Sequence, residues 1–360
     1  MFLKGGIMSG LTSRPIRWFV LPITLVLVFV GYVLSAPGKV EVNAEALKLF
    51  TPLPAVMSSP DNPVTDAKIR LGRILYYDSR LSANQKISCN TCHPLDAYGA
   101  QSTRVSTGFK NQKGNRNAPT VYNAAGHFVQ FWDGRAPTVE EQAKGPITNP
   151  VEMAMPSHSA TVDVIKSMPE YVALFQAAFP TDKDPVTYDN MALAIGAFER
   201  GLVTPSPWDA FLKGNHSALT DAQKAGFNTF AAVGCQWCHN GPYLGGSAFQ
   251  KLGVTKPWPA QTDQGLYQLT KDENDKMVFK VPSLRNIKMT KPYFHDGSVA
   301  TLDQAIRDMA VHQRGATLTD AQVKSIETWM ASLTGSLPAD YVKAPELPKS
   351  TSQTPRPSGE

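Results

Sequence analysis

Two five-residue strings, CNTCH at 89–93 and CQWCH at 235–239, use all four cysteines of the 360-residue chain. In each, Cys-x-x-Cys is followed directly by histidine, so one turn of backbone can present both thiols and the imidazole on one side. That is the attachment signature of c-type haem, whose two vinyl groups meet the thiols while the imidazole reaches the iron. Zinc and thioredoxin-like redox chemistry are the rival uses of paired cysteines. Zinc would be served by two thiolates from each string, yet it gives no reason for a histidine at the same position twice. With Cys89, Cys92, Cys235 and Cys238 committed, no cysteine is left for a structural disulfide.

A chain of this length suits about two domains, and the motifs stand 146 residues apart. The 28 prolines and 26 glycines point to long shaped loops between helices. Helical periodicity puts Ala67, Leu71, Ile74 and Leu75 on one face before the first motif, and Val323, Ile326, Trp329, Met330 and Leu333 on one face near the C-terminus. The string LTDAQ occurs at 219–223 and 318–322, where Thr220 with Gln223 and Thr319 with Gln322 read as capping boxes. A short helix before a haem motif and an amphipathic helix at the end is the layout of a small class I cytochrome c domain. A looser version, from TDAK at 65–68 to the helix YDNMALAIGAFERGLV, brackets Cys89. The expected fold is mainly α. A signal or anchor helix (1–36) and a lead-in (37–44) precede two class I cytochrome c-like haem domains with long loops, 45–200 and 201–343. Residues 344–360, which lack hydrophobic periodicity, read as a disordered tail.

The 17 residues from Trp18 to Leu34 are apolar apart from Pro22, Thr24 and Gly31, and follow a basic flank. They read as an export signal or a short membrane anchor, placing the bulk of the chain in the periplasm. Three of the five net positive charges are Lys4, Arg14 and Arg17 of this segment, so no nucleic-acid partner is indicated.

QFWDGRAPTVEEQAKGPI at 130–147 and KPYFHDGS at 291–298 resemble the bacterial di-haem cytochrome c peroxidases, a family that also includes the di-haem enzymes maturing methylamine dehydrogenase. RNAPTVYNA at 116–124, DPVTYDNMALAIGAFE at 184–199 and VPSLRN at 281–286 extend the resemblance over roughly 45–340. It implies an enzyme that reduces hydrogen peroxide at the N-terminal haem with electrons received through the C-terminal haem. His93 would be the proximal ligand of the peroxidatic iron, Glu140 the distal acid-base carboxylate and Gln130 the amide that orients peroxide. The plainer reading of Glu140 and Glu141 is that they charge the first turn of a helix capped by Thr138; Glu141 fits that role better.

By the same resemblance His239 and Met309 hold the second iron, Met309 lying fourteen residues beyond His295. A thioether opposite histidine raises the reduction potential; its plain alternative is a buried helix methionine. The maturation enzymes are expected to have tyrosine there. A calcium ion between the domains would use Asn117 with the backbone carbonyls of Thr290 and Pro292. Trp132, Asp133 and Arg135 read as packing and propionate support. Tyr122 and Trp237 are relay candidates for which core packing is the plainer role. His295 is placed near the C-terminal haem or the domain contact. Many family members carry a histidine sixteen residues beyond the proximal one, blocking the iron at rest; here that residue is Phe109, which cannot ligate, and His127 is the nearest substitute. The partners implied are hydrogen peroxide, a small electron donor (cytochrome c or cupredoxin) or a quinol pool, and a second copy in a homodimer. A two-haem electron carrier and a maturation-type oxidase acting on a protein substrate stand as alternatives.

Overall fold

The computed structural model describes residues 39–259 and 261–358. Its longer helices are α1 (Asp66–Tyr77), α2 (Val139–Thr148), α3 (His158–Lys166), α4 (Pro169–Ala178), α5 (Tyr188–Glu199), α6 (Asp221–Val233), α7 (Leu302–Arg314) and α8 (Asp320–Met330). One antiparallel ribbon joins β1 (Phe249–Lys251) to β2 (Val278–Lys280), with Phe249 opposite Lys280. The mainly helical expectation therefore holds. Threonine starts most of these helices: Thr65, Thr138, Thr187, Thr220, Thr301 and Thr319 each accept a backbone N–H three residues on. Both LTDAQ strings form the full reciprocal capping box. Gly234 and Gly315, at φ 88° and 64°, end α6 and α7 in the left-handed conformation that a side chain disfavours.

The two halves repeat one packing device. α1 crosses α5 and α6 crosses α8, each through a glycine: a Cβ on Gly72 would run into the Ala194 carbonyl, and one on Gly226 into that of Ser325. Removing the side chain lets the backbones approach closely. Leu71, Ile74 and Leu75 of α1 then join Met191, Ala194 and Ile195 of α5 in one buried cluster. Phe227 and Phe230 of α6 join Ile326 and Trp329 of α8 in another, with the fully buried Trp208 ring 5.4 Å from that of Trp329.

The two ends of the described segment cross over between these clusters. Ala46 and Phe50 pack in the second cluster, and Asn43 N–H donates to Asn228 Oδ1 at 2.7 Å. The stretch around residue 45 thus belongs to the second haem motif's half rather than opening the first. The C-terminal segment does the converse, which corrects the expected disordered tail at 344–360: over its described residues it is an ordered strap. Leu347 packs on the first cluster. Arg80 Nη1 and Gln85 Nε2 donate to the carbonyls of Pro348 and Pro355 at 2.8 Å each, and Ser358 N–H donates to Ala83 O at 2.7 Å. An extended strap held mainly through its backbone leaves no periodic apolar signal. The apolar segment 18–34 lies outside the described residues; among those described, no helix is long and apolar enough to cross a membrane.

Candidate active site

Both Cys-x-x-Cys-His strings close the same turn. His93 N–H donates to Cys89 O at 2.9 Å, and His239 N–H to Cys235 O at 3.0 Å. The rings are anchored alike, Nδ1 lying 3.2 Å from Gly99 O in the first and from Leu244 O in the second. A ring whose Nδ1–H is taken by a carbonyl offers the Nε2 lone pair to a metal. Burial lowers both histidine pKa values against the opposing pull of those carbonyls, so the rings stay neutral, as ligation requires. Burial also pushes the Cys89 and Cys235 thiols up to about 12. All four thiols are free of disulfides.

Cys89, Cys92, His93 and Gln130 line one continuous cavity of about 630 Å³ with Cys235, Cys238, His239 and Met309. Among the described residues no three or more His, Cys, Asp or Glu side chains converge as a metal set. Paired free thiols beside neutral, carbonyl-anchored imidazoles on the wall of a large cavity are the donor set that covalent haem needs.

Beside that cavity FWDGRAP closes a turn, with Gln130 and Ala136 paired across it. Gln130 is buried, and its Nε2 donates to Ala124 O at 2.9 Å, leaving Oε1 as the free end. Glu140 is buried too, but it stands behind the wall. Its Oε1 accepts from Arg200 Nε and Asn62 Nδ2 at 2.8 Å each, and its Oε2 from Arg200 Nη2 at 2.9 Å. Burial works to raise the Glu140 pKa, but the Arg200 and Asn62 bonds prevail and hold it below the ordinary carboxylate value. Glu141 takes the plain role: its N–H meets Thr138 Oγ1 at 3.2 Å and its carboxylate pairs with Lys144 at 2.7 Å.

The carboxyl that does reach the wall is Glu199, at the end of α5, which the sequence reading passed over as part of a helix. Burial and the neighbouring Glu140 charge push it up to about 8, with Arg200 opposing. Its only sequence signal is an acid inside an otherwise apolar helix face.

Phe109 forms a short 3₁₀ turn (Phe109–Asn111) and packs against the first core cluster; its N–H donates to Glu152 O at 2.8 Å. Asp133 binds Arg116 at 2.6 Å and Arg135 at 3.0 Å, and Trp132 Nε1 donates to Asn117 O at 2.9 Å. His295 is buried at the contact between the halves, stacked on Phe279, with its Nε2 2.6 Å from Gln261 Oε1. Asn117, Thr290 and Pro292 line the same cavity, the Asn117 amide donating to the carbonyls of Thr103 and Arg104 at 3.2 Å each. Tyr122 is fully buried, its hydroxyl on Leu95 O at 2.7 Å, which fits packing. Trp237 is 65% exposed, so core packing does not describe it.

Residues 66–217 match the family model described as di-haem cytochrome c peroxidase. The chain is 44% identical over 323 residues to the cytochrome c551 peroxidase of Pseudomonas aeruginosa, spanning 87% of this chain and 92% of that one. The chain belongs to the di-haem cytochrome c peroxidase family. The cytochrome c551 peroxidase of Nitrosomonas europaea is 42% identical over 340 residues, 93% of this chain and 97% of that one. In structure, the chain resembles a MauG-like protein associated with microbial copper homeostasis, with TM-score 0.73 and 28% identity, covering 81% of this chain and 97% of that one. Family membership implies two covalently held haems, one for each Cys-x-x-Cys-His string.

Proposed function

We propose that the protein reduces hydrogen peroxide to water at the His93 side of the cavity, drawing electrons through the His239/Met309 side. The observation that carries this reading is the asymmetry of two otherwise equivalent motifs. Met309 shares the cavity wall with His239, whereas Phe109, sixteen residues beyond His93 where many family members carry a ligating histidine, cannot ligate and packs against the first core cluster. Haem at each motif would supply redox iron, with an open position at the first and a histidine–methionine pair at the second. Gln130 orients peroxide. Glu140, held ionised behind the wall by Arg200 and Asn62, turns into the cavity to act as the base that takes the proton of the near oxygen and returns it to the far one as the O–O bond breaks. Two electrons and two protons complete the conversion to two waters.

The names of the relatives support a small c-type cytochrome as donor over a cupredoxin or quinol. Export by residues 18–34, a homodimer, and calcium held by Asn117 with the carbonyls of Thr290 and Pro292 complete the proposal. A chelator is expected to lower the melting temperature if that ion is present. The test of the open site is electron paramagnetic resonance of the fully oxidised protein. A high-spin ferric signal is expected beside a low-spin one, and Phe109→His is expected to convert the first to low spin and make activity await reduction. Two low-spin haems in the unsubstituted protein would favour an electron carrier instead.

A further inference from the structure

Glu199 is buried to 4% exposure on the cavity wall, at the C-terminal end of α5. The guanidinium beside it in sequence is already committed: Arg200 gives Nε and Nη2 to Glu140 and Nη1 to Met57 O at 2.9 Å. Glu140 and Glu199 therefore form two neighbouring buried carboxyls, and the cations beside them favour Glu140: Arg200 binds it bidentately and Lys68 reaches it through Asn62 Oδ1 at 3.0 Å. Two like charges so placed do not both ionise easily, and the carboxyl without a bound cation retains the proton. We propose that Glu199 is the proton store of the N-terminal site, a neutral carboxyl that supplies one of the two protons consumed per peroxide and is recharged from solvent.

This rests on the peroxidase reading above. The step balances: the first water forms from the peroxide's own two hydrogens, and the oxygen that remains takes two electrons from the donor and two protons to become the second water, one of them from Glu199, whose O–H bond breaks and which is left as carboxylate until it takes a proton from solvent. Glu140 and Glu199 thus divide the work of base and acid through opposite environments. The groups facing Glu199 are Tyr76 of α1, Cys89 of the haem turn, Glu140 of α2, Arg200 just past α5 and Tyr341 of the C-terminal segment. The tyrosines and the thiol keep their protons under burial, so Glu140 and Arg200 alone bring charge. Since Glu199 titrates at about 8, it is neutral below that pH and ionised above it.

Infrared spectroscopy of the haem-loaded enzyme resolves the C=O stretch of a protonated carboxyl from that of a carboxylate. A protonated band is expected at pH 6, fading as pH rises through about 8 and missing in Glu199→Gln. Wild-type kcat is expected to fall over the same range, and Glu199→Gln to lose that limb while keeping a lower, flat rate. A band that persists in Glu199→Gln, or an alkaline limb unchanged by it, overturns the assignment. Should the variant fail to fold, the absence of any protonated carboxyl band in the wild-type protein at pH 6 overturns it equally. The infrared signal does not depend on turnover, so a wild-type protein inactive toward peroxide would refute the peroxidase reading separately.

Discussion

Replacing Glu140 by Gln removes a charge that the structure ties to three hydrogen bonds, and it separates chemistry from architecture. Both partners of the Arg200 pair are nearly sealed, with side chains 6% and 7% exposed. In Glu140→Gln one carboxylate oxygen becomes an NH2 that faces the donors of Arg200, and the guanidinium is left buried without its counter-charge. Breaking a buried pair in this way costs about 3–5 kcal/mol of stability. The catalytic effect is separate: losing a positioned acid-base group is expected to lower peroxide turnover by roughly two or more orders of magnitude, about 2.7 kcal/mol on the barrier for the first two. Asn62→Ala is the control, since it removes one bond to the same carboxylate, at about 1 kcal/mol, and leaves the charge in place. Thermal unfolding and steady-state turnover measured well below the transition should show both variants destabilised but only Glu140→Gln inactive, with both haems attached. Turnover of Glu140→Gln within a few-fold of wild type would show that Glu140 serves only to hold Arg200.

Met309→Ala is expected to lower the potential of the C-terminal haem and alter its spectrum, because a thioether ligand raises the potential; an unchanged redox titration would assign that iron to another ligand. Deleting residues 344–360 exposes the site of Leu347 and frees Arg80 and Gln85 from their carbonyl partners. The expected outcome is a lower melting temperature and faster proteolysis within 79–88, with haem content retained. Acid should destabilise the fold through Glu140, Asp209 and Asp263. Burial works to raise each, but arginine partners prevail and hold all three below their ordinary values. Their contribution is complete above the unfolded carboxylate range, about 3.9–4.3, and is lost as pH falls through the lower native values. A melting temperature flat from pH 5 to below pH 3 would contradict this.

The capped helices were legible because threonine caps and LTDAQ boxes are local chemistry that the backbone must satisfy whatever surrounds it. The haem turns were legible for the same reason, since thiols and imidazole must share one turn. Gly72 and Gly226 were not, because a glycine inside a helix reads only as a weak propensity until its crossing partner is known. The strap was missed because backbone carbonyls, not side chains, carry its contacts. Glu140 was singled out through resemblance alone, and its clamp by Arg200 and Asn62 joins residues 60 and 78 positions away. Glu199 was hidden in the apolar pattern of α5, and only three-dimensional proximity to an already paired carboxylate sets it apart.

The most direct test is the oxidation of a reduced small c-type cytochrome by hydrogen peroxide, using the enzyme as isolated and fully oxidised. The expected result is immediate turnover, without a lag, with two cytochromes oxidised for each peroxide consumed. Oxidation no faster than without enzyme would contradict the peroxidase assignment. A lag that ends only on prior reduction would contradict the open site opposite His93.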